Sequence, residues 1–93
     1  MHRYFLKKIR EKVFNRQYVV TTHADDEMHD DSMSVYDIEH VMLTGEIVER
    51  QRDEVTGEWK YRIIGKTLGQ QDAQVVVKLG PTDKLVIITV FKI

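Results

Sequence analysis

Cysteine is absent from the 93 residues, and proline and tryptophan occur once each. Without cysteine there is neither a disulfide framework nor a cysteine-ligated zinc site, so apolar packing has to supply the stability, and a reducing, cytoplasmic setting is expected. Long hydrophobic runs are missing too. The longest, Leu85-Val86-Ile87-Ile88, is far too short for a membrane-spanning helix, and the first residues do not read as a secretory leader. No low-complexity tract, internal repeat or linker divides the chain, so one domain over residues 1–93 is expected.

What is present is ordinary in bulk and uneven in detail. The chain is 42% hydrophobic and 31% charged, the balance of a globular protein rather than a disordered one. At this length about two-thirds of the unfolded surface can be buried. The net charge of −1 conceals two strongly charged neighbours. Residues 1–22 hold six basic residues (Arg3, Lys7, Lys8, Arg10, Lys12, Arg16) against Glu11, a net of +5. Residues 23–39 hold seven acidic residues (Asp25, Asp26, Glu27, Asp30, Asp31, Asp37, Glu39) and neither Lys nor Arg, a net of −7.

Periodicity divides the chain at Gly45. Phe5, Leu6, Ile9 and Val13 recur at helical spacing and predict an amphipathic basic helix over 3–17. The β-branched stretch 18–21 predicts a brief strand. Thr22 followed by Asp25 has the form of a capping box opening a short helix to about residue 30, with Ala24 and Met28 on its apolar side. Ser34 is the N-cap candidate of the next helix. Asp37 stands three residues later, and Val35, Ile38, Val41 and Met42 mark one face. Met33 is placed to staple onto Ile38, and Gly45 to stop the helix in a left-handed conformation. Beyond it the period becomes two, with strands over 46–52, 58–65, 74–79 and 85–91 separated by turns. Trp59, Tyr61 and Ile63 share one face of their strand, and Lys60, Arg62 and Ile64 the other. The last strand is apolar on both faces and is expected inside the sheet. Short links favour antiparallel neighbours, so the predicted class is α+β. N-terminal helices pack on one face of a four-stranded, mostly antiparallel sheet.

The ordered set Val20-Thr21-Thr22-His23-Ala24, Met28, Ser34-Val35-Tyr36-Asp37-Ile38, Leu43-Thr44-Gly45-Glu46-Ile47-Val48-Glu49, Trp59-Lys60-Tyr61-Arg62, Gly65-Lys66-Thr67-Leu68 and Val86-Ile87-Ile88-Thr89-Val90-Phe91 resembles the bacterial family known as domain of unknown function 4258, over residues 18–91. The resemblance implies a RelE/barnase-like ribonuclease fold, the role of a toxin in a type II toxin–antitoxin system, a cognate antitoxin as partner and RNA as substrate. Many members carry Arg near Met28. Here that stretch reads Asp25-Asp26-Glu27-Met28-His29-Asp30-Asp31, which would repel phosphate and marks an acidic subgroup.

Metal-independent RNA cleavage needs a base, an acid and a cation for the phosphorane charge. His23 at the start of a helix suits proton transfer near neutrality, or alternatively pins the strand–helix corner. The candidate catalytic set is His23, Arg62 and Lys66, with Lys60, Thr89 and Lys92 as substrate-binding residues. No cofactor is expected. His23 with Glu27, and Asp26 with Asp30, sit four apart with His29 nearby, a spacing that permits metal ligation but is better read as a solvated acidic face. Tyr4, Phe5 and Phe14 are expected in the core rather than as stacking platforms. Trp59 and Tyr61 are expected there too, with an interaction surface as the alternative. A second function class stands beside the enzyme: a non-catalytic module whose basic helix and acidic 23–39 segment dock a protein partner or a second copy of the chain.

Overall fold

The structure, a computed structural model, describes residues 2–93. Its elements run α1 (Arg3–Phe14), β1 (Tyr18–Val20), α2 (Thr22–Asp30), α3 (Val35–Thr44), β2 (Glu46–Arg52), β3 (Trp59–Lys66), β4 (Asp72–Leu79) and β5 (Leu85–Lys92). The last four strands form the expected antiparallel meander. The sheet itself has five strands rather than four, in the order β1-β5-β4-β3-β2. Three-residue β1 pairs in parallel with β5, aligning Tyr18 with Leu85 and Val20 with Ile87. Turn signals report only sequence neighbours, so they could not show a pairing between residues more than 60 positions apart. Placed between β1 and β4, β5 is an interior strand, as its two apolar faces require.

One face of the sheet carries the core. Tyr61, Ile63, Val75, Val77, Leu85, Ile87 and Val90 are buried there against Leu6, Ile9 and Val13 of α1, Ala24 and Met28 of α2, and Ile38, Val41 and Met42 of α3. Among the described residues no helix covers the other face, where Lys60, Arg62, Val76, Lys78 and Thr89 are half-exposed. No described helix is long and apolar enough to cross a membrane. Tyr61 is buried, but Trp59, at the start of β3, is 39% exposed and covered by the Arg50 guanidinium 4.1 Å from its ring centre. Phe14 (81% exposed) and Tyr4 stand outside the core, contrary to expectation. Phe14 lies one residue past Val13, about 100° around the helix from the buried stripe.

The helix ends show how the chain turns. Thr21, not Thr22, is the N-cap of α2: its Oγ1 accepts the Ala24 N–H at 3.1 Å. Its own N–H donates to the Ile87 carbonyl and its hydroxyl to Ile88, so strand pairing and capping meet in one residue. The Ser34–Asp37 capping box of α3 is complete, and the other Asp37 oxygen accepts the Leu68 N–H, fastening the β3–β4 loop to α3. Two helices end in Schellman motifs with non-glycine residues in the left-handed position. Arg16 (φ 56°) closes α1 through Gln17 N–H to Lys12 O, and Ser32 (φ 54°) closes α2 through Met33 N–H to Met28 O.

Gly45 ends α3 but is extended (φ −83°, ψ −169°), not left-handed. Its need for glycine is steric. A Cβ there would lie 2.5 Å from the Ile64 carbonyl oxygen and 2.6 Å from that of Val41. The end of α3 therefore rests directly on β3, backbone to backbone.

Candidate functional site

The six candidate residues fall into three places. Lys60, Arg62 and Thr89 share the helix-free sheet face. Arg62 lies opposite Val76, and Val76 opposite Thr89, so Arg62 and Thr89 occupy one cross-strand row two strand spacings apart, about 10 Å. Lys66 follows in the same alternation at the end of β3. His23 lies beyond the outer edge of β5, in the first turn of α2. Lys92 falls on the helix-covered side, opposite Ala73.

Each cation on the helix-free face already has a partner. The Arg62 Nε donates to Glu49 on β2 and its Nη1 to Gln74 on β4, each at 3.1 Å. Lys60 stands 3.6 Å from Asp53, Lys66 2.6 Å from Asp72 and Lys78 3.2 Å from Glu58. The Asp53 carboxyl is held below its ordinary range by the N–H groups of Thr56 and Val55, which it accepts in the β2–β3 turn, with Lys60 adding to the effect. Such half-exposed pairs stabilise by only about 0–1 kcal/mol, so a phosphate could displace the carboxylate and bind a preoriented guanidinium.

His23 is 70% exposed along its side chain, and its Nε2 lies 3.2 Å from Glu27 Oε1. The same oxygen accepts the Val90 N–H at 3.1 Å. Four residues on, Asp31 accepts the Lys92 N–H at 2.8 Å. These two bonds give two carboxylates of the acidic segment a structural role. β1 covers the edge of β5 only as far as Ile87. Beyond it the outward N–H groups of Val90 and Lys92, two strand residues or about 6.7 Å apart, meet carboxylates four helical residues or about 6 Å apart. Glu27 and Asp31 thus complete the pairing of β5 where β1 leaves off. The sequence carried a trace of this in their i, i+4 spacing. Their partners, some 60 residues away, could not be read from it.

The remaining acids of α2 are exposed. Asp25 pairs with His29, whose imidazole pKa is raised, first by its contact with the Asp25 carbonyl and then by the nearby carboxylates. Among the described residues no three His, Cys, Asp or Glu side chains converge as a metal site would require.

The basic helix also divides. Arg10 donates to the carbonyls of Met42 (3.3 Å) and Gly45 (2.6 Å), capping the C-terminal end of α3 where a cation is favoured. Lys12 is buried along its stem and paired with Asp83 at 3.0 Å, and this contact holds the Asp83 carboxyl below its ordinary range. Arg3, Lys7, Lys8 and Arg16 have no carboxylate within ion-pair distance among the described residues. Arg3, Lys7 and Arg10 rim a groove of about 580 Å³ between α1 and α3, floored by Leu6, Phe14 and Leu43.

The chain matches the model of the family described as "Domain of unknown function (DUF4258)" over residues 20–92. No curated protein and no solved structure matches the chain.

Proposed function

Because the chain belongs to the DUF4258 family, with nearly four-fifths of its length matched, we propose that it is the toxin component of a type II toxin–antitoxin system. In this reading it is a cytoplasmic protein of RelE/barnase-like fold that takes RNA across its helix-free sheet face. The supporting observation is the row formed by Arg62, Val76 and Thr89, flanked by Lys60, on a face left open by helices packed against the opposite one. Arg62 is the phosphate-gripping residue, preoriented by Glu49 and Gln74; Lys60 and Thr89 extend the track along the backbone of a single strand. His23, held by Glu27 on α2, stands at the β5 side of the sheet, two strands away from β3, which carries Arg62. Its acid–base role requires substrate reaching from β3 past β5. Lys66 grips phosphate at the end of β3. Lys92, on the covered side, contributes through its backbone N–H to the structure of the edge rather than to this track.

The experiment is induced expression without any antitoxin, read as growth arrest and as cleavage of total RNA. Arrest and cleavage by the wild type, lost in Arg62→Ala and weakened in His23→Ala, are the expected results. A fully folded wild type causing neither would sink the proposal.

A second reading is favoured by a different observation. The cations of the sheet face are neutralised, whereas those of the α1 groove are not. On that basis the chain works through a protein partner, whether or not it also cleaves RNA.

A further inference from the structure

Along α1, Arg3, Lys7, Arg10 and Phe14 recur at intervals of four, three and four, a single stripe turned away from the sheet. They meet Leu43 of α3 across the groove of about 580 Å³. Its floor is apolar: Leu6 is buried at the base, while Phe14 at 81% and Leu43 at 37% present open surface. Its charge is cationic, with Arg3, Lys7 and Arg10 against one carboxylate, Glu11. The walls are fixed relative to each other, because Arg10 is bonded to the last carbonyls of α3. A preformed groove with an apolar floor and a charged rim is the geometry that accepts an amphipathic helix.

We infer that this groove receives an amphipathic helix of a partner protein, with apolar residues at i, i+3 or i+4, and i+7, flanked by Glu and Asp. The inference rests on the reading that the chain works through a protein partner, and it names the chemistry of that partner. Charge complementarity selects an acidic segment, and the apolar floor selects one that brings apolar side chains of its own. A second copy of this chain supplies the first without the second. Its acidic helix α2 turns Ala24 and Met28 into the core and shows only polar residues outside. RNA matches the cations, but Leu6 and Leu43 offer no ring on which a base could stack, and Phe14 is one ring rather than a series of them.

The test is amide chemical-shift mapping on the full chain with four probes. The first is a 16-residue Leu/Glu peptide of helical amphipathic pattern; the second is the same composition scrambled. The third has Lys in place of Glu, and the fourth is an oligouridylate. The expected result is saturable shifts at Leu6, Lys7, Phe14 and Leu43 with the first peptide alone. Affinity should fall at least tenfold in Phe14→Ser and in Lys7→Glu, both at exposed positions, and should weaken with added salt. The groove assignment is overturned by equal binding of the scrambled peptide, by the oligouridylate shifting the same residues, or by no peptide shifting any residue. A Phe14-dependent dimer of the protein alone in sedimentation overturns it in favour of a second copy. Saturable shifts from the acidic peptide that map instead to the sheet face overturn the groove while leaving the protein-partner reading intact.

Discussion

The Glu27 carboxylate accepts the Val90 N–H at 3.1 Å, and through that bond a helix takes over the edge of a sheet from a strand that has ended. The acidic stretch of the sequence is therefore partly structural. Two of its carboxylates act as backbone carbonyls would in an adjoining strand.

Removing such an acceptor leaves a half-buried strand N–H without a partner. Glu27→Ala should destabilise the protein by about 1–3 kcal/mol, the cost of an unsatisfied buried donor. Glu27→Gln keeps an oxygen in place and should lose less than half as much. Urea denaturation of the three proteins gives the comparison, and equal loss in both variants would show that charge rather than the acceptor matters.

Gly45 tolerates no side chain, because its Cβ would collide with two backbone carbonyls. Gly45→Ala should cost about 1–3 kcal/mol or more, the range for overpacking a tight contact, and the loss should appear in the thermal midpoint. A substitution that left the midpoint unchanged would mean that α3 and β3 can separate freely.

Arg16 and Ser32 occupy left-handed positions at φ 56° and 54°. That conformation costs an L-residue roughly 1–2 kcal/mol, part of which glycine gives back through its freer unfolded chain. Arg16→Gly and Ser32→Gly should each stabilise by about 0.5–1 kcal/mol in denaturant titrations, against the usual direction of glycine substitutions.

The Asp37 carboxyl is held below its ordinary value of 3.8, first by the Ser34 N–H and also by the N–H of Leu68. Its folded pKa is depressed, so its contribution to stability is complete above the unfolded value and is lost as pH falls through the folded one. Thermal melts from pH 6 down to pH 2 should show a decline below about pH 4, and Asp37→Asn should flatten it. A decline of equal steepness in the variant would assign the acid lability to other carboxylates.

What could be read from the sequence follows how far each partner lies along the chain. The switch from helical spacing to alternation at Gly45 marked the meander, because neighbouring strands joined by short turns carry their own signals. Ser34 and Asp37, three residues apart, disclosed a capping box that the structure completes. Thr22 and Asp25 had the form of a cap, but Thr21 caps α2 by accepting the Ala24 N–H, and its own bonds to Ile87 and Ile88 on a distant strand were beyond local reading. The parallel pairing of β1 with β5 left no local trace, nor did the bonds from Glu27 and Asp31 to β5. The candidate site was legible only in part. Alternation correctly put Lys60 and Arg62 on one face, but Glu49 and Gln74, which hold the guanidinium, come from two other strands. Exposure of Phe14 was implicit in its place about 100° around α1 from the buried stripe, whereas the groove beside it depended on where α3 crosses α1, which periodicity within one helix does not reveal.

The position of β5 between β1 and β4 has a consequence for the order of assembly. During synthesis the first seven elements emerge before residues 85–92 do. Until then β1 has no strand to join, and β4 presents an open edge. The meander can form from contacts close in sequence, at little loop-closure cost, but the sheet closes only across a span of more than 60 residues. A chain stopped short of residue 85 would carry three helices, an unpaired strand and an exposed hydrophobic edge, a species prone to associate with others of its kind. β5 is thus the keystone of the fold: it alone joins β1 to the meander of β2, β3 and β4.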